Sequence, residues 1–250
     1  MGVEFPYKRT CRQFIDGSYS DNGKWRYMHD PNFADSPEQY VRPFLLIQKD
    51  LQVLFDYIEP SDQNLVCYSY RIHELLIRTC IEIEANCKAI LIENGYQSNK
   101  ELNMRDYQKI NHTHHLSSYE VALPLWKGVE RLKKPFIGWH TGNQLCWYQA
   151  YNALKHNRHG EFHKASFGNL IEAICGLTVL LSAQFYQEDF THSVNFLALE
   201  GSSDGMESAI GGYFRVKFPN DWSADEQYSF EYTDIEATDF RVQCFDYSRI

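Results

Sequence analysis

Apolar side chains at Leu65, Tyr68, Ile72, Leu75, Leu76, Thr79, Ile83 and Cys87 recur every three or four positions. That is the period of one buried helix face. The pattern predicts a helix over 64–94, of about 30 residues and roughly 45 Å, with Asn94-Gly95 as its stop. An earlier helix is predicted over 37–60, with Ser36 as N-cap, Pro37 in its first turn and Pro60 beyond its end. Pro43 lies within that helix and predicts a kink or a later start. TGNQLCWYQAYNALKHNR (141–158) reads as a third helix ending near Gly160. KASFGNLIEAICGLTVLLSAQFYQEDF (164–190) reads as a fourth, capped near Ser166. Residues 96–140 read as irregular, with a short helix around MRDYQKI and extended pieces near SSYEVALPLW. After 190 the pattern changes to alternation in SVNFLALEG, GGYFRVKFP, QYSFEYTD and DFRVQCFDY, the signature of strands. The expected class is therefore mainly α. It comprises a loop-rich arm (1–36), an antiparallel helical bundle (37–190) and a small β-rich C-terminal appendage (191–250).

Composition narrows the partners. With 250 residues, 44% hydrophobic and 23% charged, the chain reads as a soluble globular protein with ample core. Its formal net charge of −9 gives no general attraction to nucleic acid or anionic membrane, so any nucleic-acid site must be a local basic patch. The N-terminal MGVEFPYKRTCRQF lacks the apolar core of a secretory signal. The longest apolar run, residues 170–185, is interrupted by Glu172 and falls short of the roughly 20 residues that span a bilayer. Seven cysteines without CxxC spacing suggest reduced thiols in a cytoplasmic protein, with Cys80 and Cys87 on the buried helix face. No phosphate-binding GxxxxGK, no GxGxxG and no GxSxG is present, which disfavours nucleotide hydrolysis, dinucleotide binding and serine-hydrolase chemistry.

The chemistry concentrates in WYQAYNALKHNRHGEFH, residues 147–163. At about 100° per residue, Lys155, His156 and His159 fall within roughly 60° of Asn152, while Trp147, Ala150 and Leu154 fall opposite. His163 joins the stripe only if the helix survives Gly160. Arg158 is turned some 120° from Asn152, so it reaches the stripe only if the helix unwinds near Gly160. A solvated face is one reading. A metal site is another, from the spacing of His156, His159 and His163 and from a second group at His112, His114 and His115. Yet there is no HExxH and no carboxylate or thiolate in a fixed ligand motif, so neither metal nor other cofactor is expected. The third reading is acid–base chemistry on a phosphodiester. Histidine titrates near neutral pH and can take a proton from a 2′-hydroxyl or give one to the leaving oxygen. Arg158 and Lys155 can hold phosphate charge, and Asn152 can orient substrate.

Elsewhere, Glu74–Arg78 and Glu84–Lys88 read as helix-supporting pairs. Lys127, Arg131, Lys133 and Lys134 form the densest basic group, either a solvated surface or a phosphate contact. NHTHHLSSYE (111–120) reads as exposed loop histidines or as a loop over a substrate cleft.

The helix containing ELLIRTCIEIEANCKAIL, followed by the one containing YNALKHNR, resembles the HEPN superfamily of helical-bundle proteins common in bacterial defence and toxin systems. The resemblance covers about residues 62–188. Its signature is Arg, usually a polar residue next, then His after four to six intervening positions. Arg158-His159-Gly-Glu-Phe-His163 fits the literal pattern. Tyr151-Asn152-Ala-Leu-Lys-His156 fits the frequent Arg-Asn-x-x-x-His form, with tyrosine replacing arginine. The resemblance implies a metal-independent endoribonuclease that works as a homodimer on RNA. It assigns His156 or His163 as acid or base, Arg158 and Lys155 as stabilisers of the phosphorane, Asn152 as a positioning group, and His159 and Tyr151 as RNA contacts. It also implies that Glu82 or Glu84 orients a histidine. The substitution at Tyr151 keeps an alternative open: a non-catalytic HEPN-like bundle that binds nucleic acid or protein through the same face.

Overall fold

The computed structural model describes residues 2–15, 27–28, 30–190, 205–230 and 242–250. Helices dominate, and four of them make the body: α1 (Glu38–Phe55), α2 (Tyr70–Glu93), α6 (Cys146–Glu161) and α7 (Phe167–Phe185). Three short helices fill the long excursion between α2 and α6: α3 (Met104–Gln108), α4 (Ile110–His114) and α5 (Ile137–His140).

Local chemistry sets the helix limits. α1 begins one residue later than a Ser36 cap requires: Pro37 takes the N-cap position and Ser36 adopts a left-handed φ of 46°. Pro43 sits inside α1 without ending it. α2 has 24 residues rather than about 30, because Ser69 is extended and its hydroxyl accepts from the Ile72 amide at 3.2 Å. The residues before it pair with α7 instead of adding turns, through Phe167 N–H to the Cys67 carbonyl (2.7 Å) and Gly168 N–H to the Leu65 carbonyl (2.8 Å). At the other end, Gly95 takes φ 81°, and the Tyr96 amide donates back to the Leu91 carbonyl at 2.9 Å, a left-handed stop. Ser166 caps α7 by accepting from the Asn169 amide at 3.2 Å, as its sequence predicts.

The bundle is not antiparallel throughout. α1 and α6 run against α2, and α6 reverses into α7 through a short turn. α2 and α7 therefore run the same way, and these two share the most extensive helix packing. Their starts are joined by the backbone bonds just described. Their ends are joined by Gln184 donating to Asn86 at 3.0 Å. α7 is 19 residues long, shorter than the 164–190 its sequence suggests, and is apolar enough to cross a membrane by length and composition. However, 83% of its most apolar window is buried inside the protein, so it serves as the core helix.

The arm and the C-terminal segment are sewn into this body. Arg9, fully buried at φ 54°, donates to Glu93 (2.6 Å), Gln184 (2.9 Å) and the Asp35 carbonyl (2.9 Å). Asn94 ties the arm to the tail: its amide nitrogen donates to the Lys8 carbonyl, and its oxygen accepts from the Phe245 amide. A four-stranded antiparallel sheet, in the order β2-β1-β4-β3, lies against the bundle. Its strands are β1 (Glu120–Ala122), β2 (Leu132–Lys133), β3 (Glu207–Ser208) and β4 (Arg215–Lys217). Val121 and Val216 are register partners, and both are fully buried.

Among the described residues, the C-terminal alternation pairs with segments from elsewhere in the chain. GGYFRVKFP supplies β4, which pairs with β1 from the excursion between α2 and α6. Within QYSFEYTD, Tyr228 makes isolated bridges to Val3 and Phe14 of the arm, and Gln243 of DFRVQCFDY bridges Tyr7. SVNFLALEG lies outside the described residues.

Candidate functional site

Helix α6 presents two faces as its period requires. Trp147, Tyr148, Ala150, Tyr151 and Leu154 are buried, whereas Lys155, His156, Arg158 and His159 are exposed and Asn152 is partly so. The regular helix ends at Asn157, whose φ −144° and ψ 63° are non-helical. The break therefore comes three residues before Gly160. Asn157 caps the turn that follows: its side-chain oxygen accepts from the Gly160 amide at 3.1 Å. A Cβ on Gly160 would lie 2.6 Å from the Asn157 amide nitrogen, so a side chain there displaces the cap.

Beyond the break, Phe162 fastens the turn to the start of α2. Its ring lies 4.6 Å from Tyr70, 5.9 Å from Tyr68 and 5.9 Å from His73. This docking carries Arg158 toward α2, and the guanidinium comes near enough to influence His73. Burial, and then Arg158, hold the His73 pKa below the usual histidine value, with Glu74 acting in the opposite sense. His73 is thus neutral at pH 7. Arg158 has no carboxylate partner among the described residues. Glu161 is engaged by Lys164 at 2.8 Å.

The other residues assigned from sequence are distributed differently. His163 is exposed on the turn, and Lys155 lies 5.6 Å over the Tyr151 ring. Tyr151 itself cannot offer its ring to RNA. It is 2% exposed, and burial, followed by the charge of Glu84, pushes its pKa up to about 12. Glu84 accepts from the Tyr148 hydroxyl at 2.7 Å, so this carboxylate positions tyrosines rather than a histidine. Arg78 pairs with Asp50 of α1 and Arg71 with Glu74, in place of the expected Glu74–Arg78 pair.

The basic group at 127–134 is largely neutralised. Lys127 pairs with Glu59, Lys134 with Glu120 (2.7 Å), and buried Lys133 with Glu130 (3.0 Å) and Glu172 (3.6 Å). Arg131 and Arg215 instead line a cavity of about 420 Å³ beside the sheet, together with Leu125, Leu132 and Tyr213.

The histidines of NHTHHLSSYE do not form one loop over a cleft. His112 is exposed, His114 is fully buried, and His115 is stacked on Trp222 at 4.0 Å with its two nitrogens 3.1 Å from Asp221 and 3.0 Å from Glu226. Among the described residues no three His, Cys, Asp or Glu side chains converge as a metal site.

His73 is the member that sequence spacing could not supply. It is far from Arg158 along the chain, and only the antiparallel packing of α2 against α6 brings the two together.

No family model, no curated protein and no solved structure matches this chain.

Proposed function

We propose that the chain is a HEPN-like, metal-independent endoribonuclease whose working surface is the end of α6 where it meets the start of α2. The observation that carries this reading is Arg158. It lies just past the kink at Asn157, it lacks a carboxylate partner among the described residues, and its charge acts on the imidazole of His73. A guanidinium without an intramolecular partner is available for bidentate phosphate binding. The neighbouring His156 and His163 supply exposed imidazoles, and Asn152 and Lys155 extend the same surface. Cleavage proceeds by attack of the 2′-hydroxyl on the adjacent phosphorus and leaves a cyclic phosphate.

A second reading, RNA binding without chemistry, is favoured by a separate observation: among the described residues His156, His159 and His163 have no side-chain hydrogen bond that would fix their rings, and catalysis needs positioned groups. One experiment separates the two. Mixed-sequence RNA is incubated with the protein in chelator, and binding is measured in parallel with a 2′-deoxy analogue that cannot be cut. Cyclic-phosphate ends that disappear in Arg158→Ala support the nuclease. Salt-dependent binding with no cleavage leaves the binding module. Neither binding nor cleavage refutes both.

A further inference from the structure

The reading of α6 as a ribonuclease surface leaves open which imidazole is held well enough to act. General-base catalysis requires a neutral imidazole within hydrogen-bond reach of the 2′-hydroxyl, on a scaffold that keeps it there. His156, His159 and His163 are exposed and, among the described residues, make no side-chain hydrogen bonds. His73 differs in burial and in ring packing. It lies in the first turn of α2, the 24-residue helix at the centre of the bundle. It is partly buried, and its ring packs against Phe162. Phe162 in turn follows α6 four residues after Arg158, and it is fixed by Tyr68 and Tyr70 as well. The ring that packs on His73 therefore anchors the chain just beyond Arg158 to the start of α2.

We infer that His73, from outside the α6 stripe, is the general base of the proposed cleavage, with Arg158 holding the phosphate that the 2′-oxygen attacks. This inference rests on the ribonuclease reading. In the step, an imidazole nitrogen of His73 takes the proton of the 2′-hydroxyl as the 2′-oxygen forms its bond to phosphorus. The bond from phosphorus to the 5′-oxygen breaks, and the leaving oxygen takes a proton from a protonated imidazole of the stripe, His156 or His163. No electrons are transferred to or from a third species, and the products are a 2′,3′-cyclic phosphate and a 5′-hydroxyl. Among the described residues, the charges that act on His73 are Arg158 and Glu74. The arginine favours the neutral ring that a base requires, and Glu74 is engaged by Arg71 at 3.1 Å.

The test is single-turnover cleavage in chelator between pH 5 and 9 for wild type, His73→Gln, His73→Ala and Arg158→Ala. Loss of a positioned base should slow cleavage by about 10²–10⁴ and remove the acid limb of the pH profile. Free imidazole should restore part of the rate to His73→Ala and none to Arg158→Ala. Affinity for the 2′-deoxy analogue should stay within about threefold of wild type in both His73 variants, which separates a lost base from a lost fold. The inference is overturned if His73→Gln cuts at the wild-type rate with the same acid limb. It is also overturned if both His73 variants lose analogue binding and imidazole rescues nothing, since the role is then structural. A wild type that binds the analogue but never cuts overturns the ribonuclease reading itself, and His73 with it.

Discussion

His114 couples the stability of this protein to pH in a direction opposite to that of a salt-bridged histidine. Its side chain is fully buried. The Arg9 carbonyl, 2.9 Å from Nε2, can only accept, so Nε2 carries the proton. Nδ1 lies 2.7 Å from the Thr113 hydroxyl, which lies 2.8 Å from the Tyr247 hydroxyl. Burial pulls the pKa of His114 down to about 3. The Arg9 carbonyl opposes that shift and Arg12 reinforces it. An unfolded chain protonates this ring near pH 6.5, whereas the fold excludes the proton until about pH 3. Between these values the unfolded state binds more protons, so the contribution is complete above pH 6.5 and is lost as pH falls. From pH 7 to pH 5, above the range where most carboxylates titrate, the loss amounts to about 2 kcal/mol. Urea unfolding of wild type and His114→Gln at pH 7, 6 and 5 measures it. Glutamine can still donate to the Arg9 carbonyl but carries no titratable proton. The variant is expected to be less stable at pH 7 by about 1–3 kcal/mol, the cost of an imperfect buried hydrogen bond. Its deficit should shrink by about 2 kcal/mol at pH 5. Parallel pH dependence in the two proteins would refute the argument that His114 is buried neutral.

The remaining expectations concern the arm and the buried face of α6. Arg9→Met leaves Gln184, Asp35 and Glu93 without their shared donor, and should cost about 3–5 kcal/mol in urea unfolding, as removal of one partner from a buried pair does. A loss below about 1 kcal/mol would mean that the arm is not anchored there. Tyr151→Phe should lower stability by about 1 kcal/mol through its lost polar contact with Glu84, while RNA-analogue affinity stays unchanged. A drop in affinity would show that Tyr151 reaches the ligand, against its burial.

Periodicity alone determined the four body helices, because a buried stripe has to recur every three or four residues whatever it packs against. It also determined the opposed faces of α6 and the Ser166 cap, since a cap is satisfied within its own turn. Tertiary structure decided everything that depends on what lies across a gap in sequence. The extended residues before α2 stay out of the helix because α7 offers them backbone partners. Among the described residues, the alternation after residue 204 is divided between a sheet shared with Glu120–Ala122 and single bridges to the arm. The parallel direction of α2 and α7 follows from the chain reversals between them, which no residue pattern encodes. At the candidate site, the stripe of Asn152, Lys155 and His156 was legible in the sequence, but the partners were not. A side chain's spacing gives its direction from its own axis, whereas burial and neighbouring charge come from other elements. That is why Tyr151 turns out to lie in the core, and why the charge of Arg158 acts on His73.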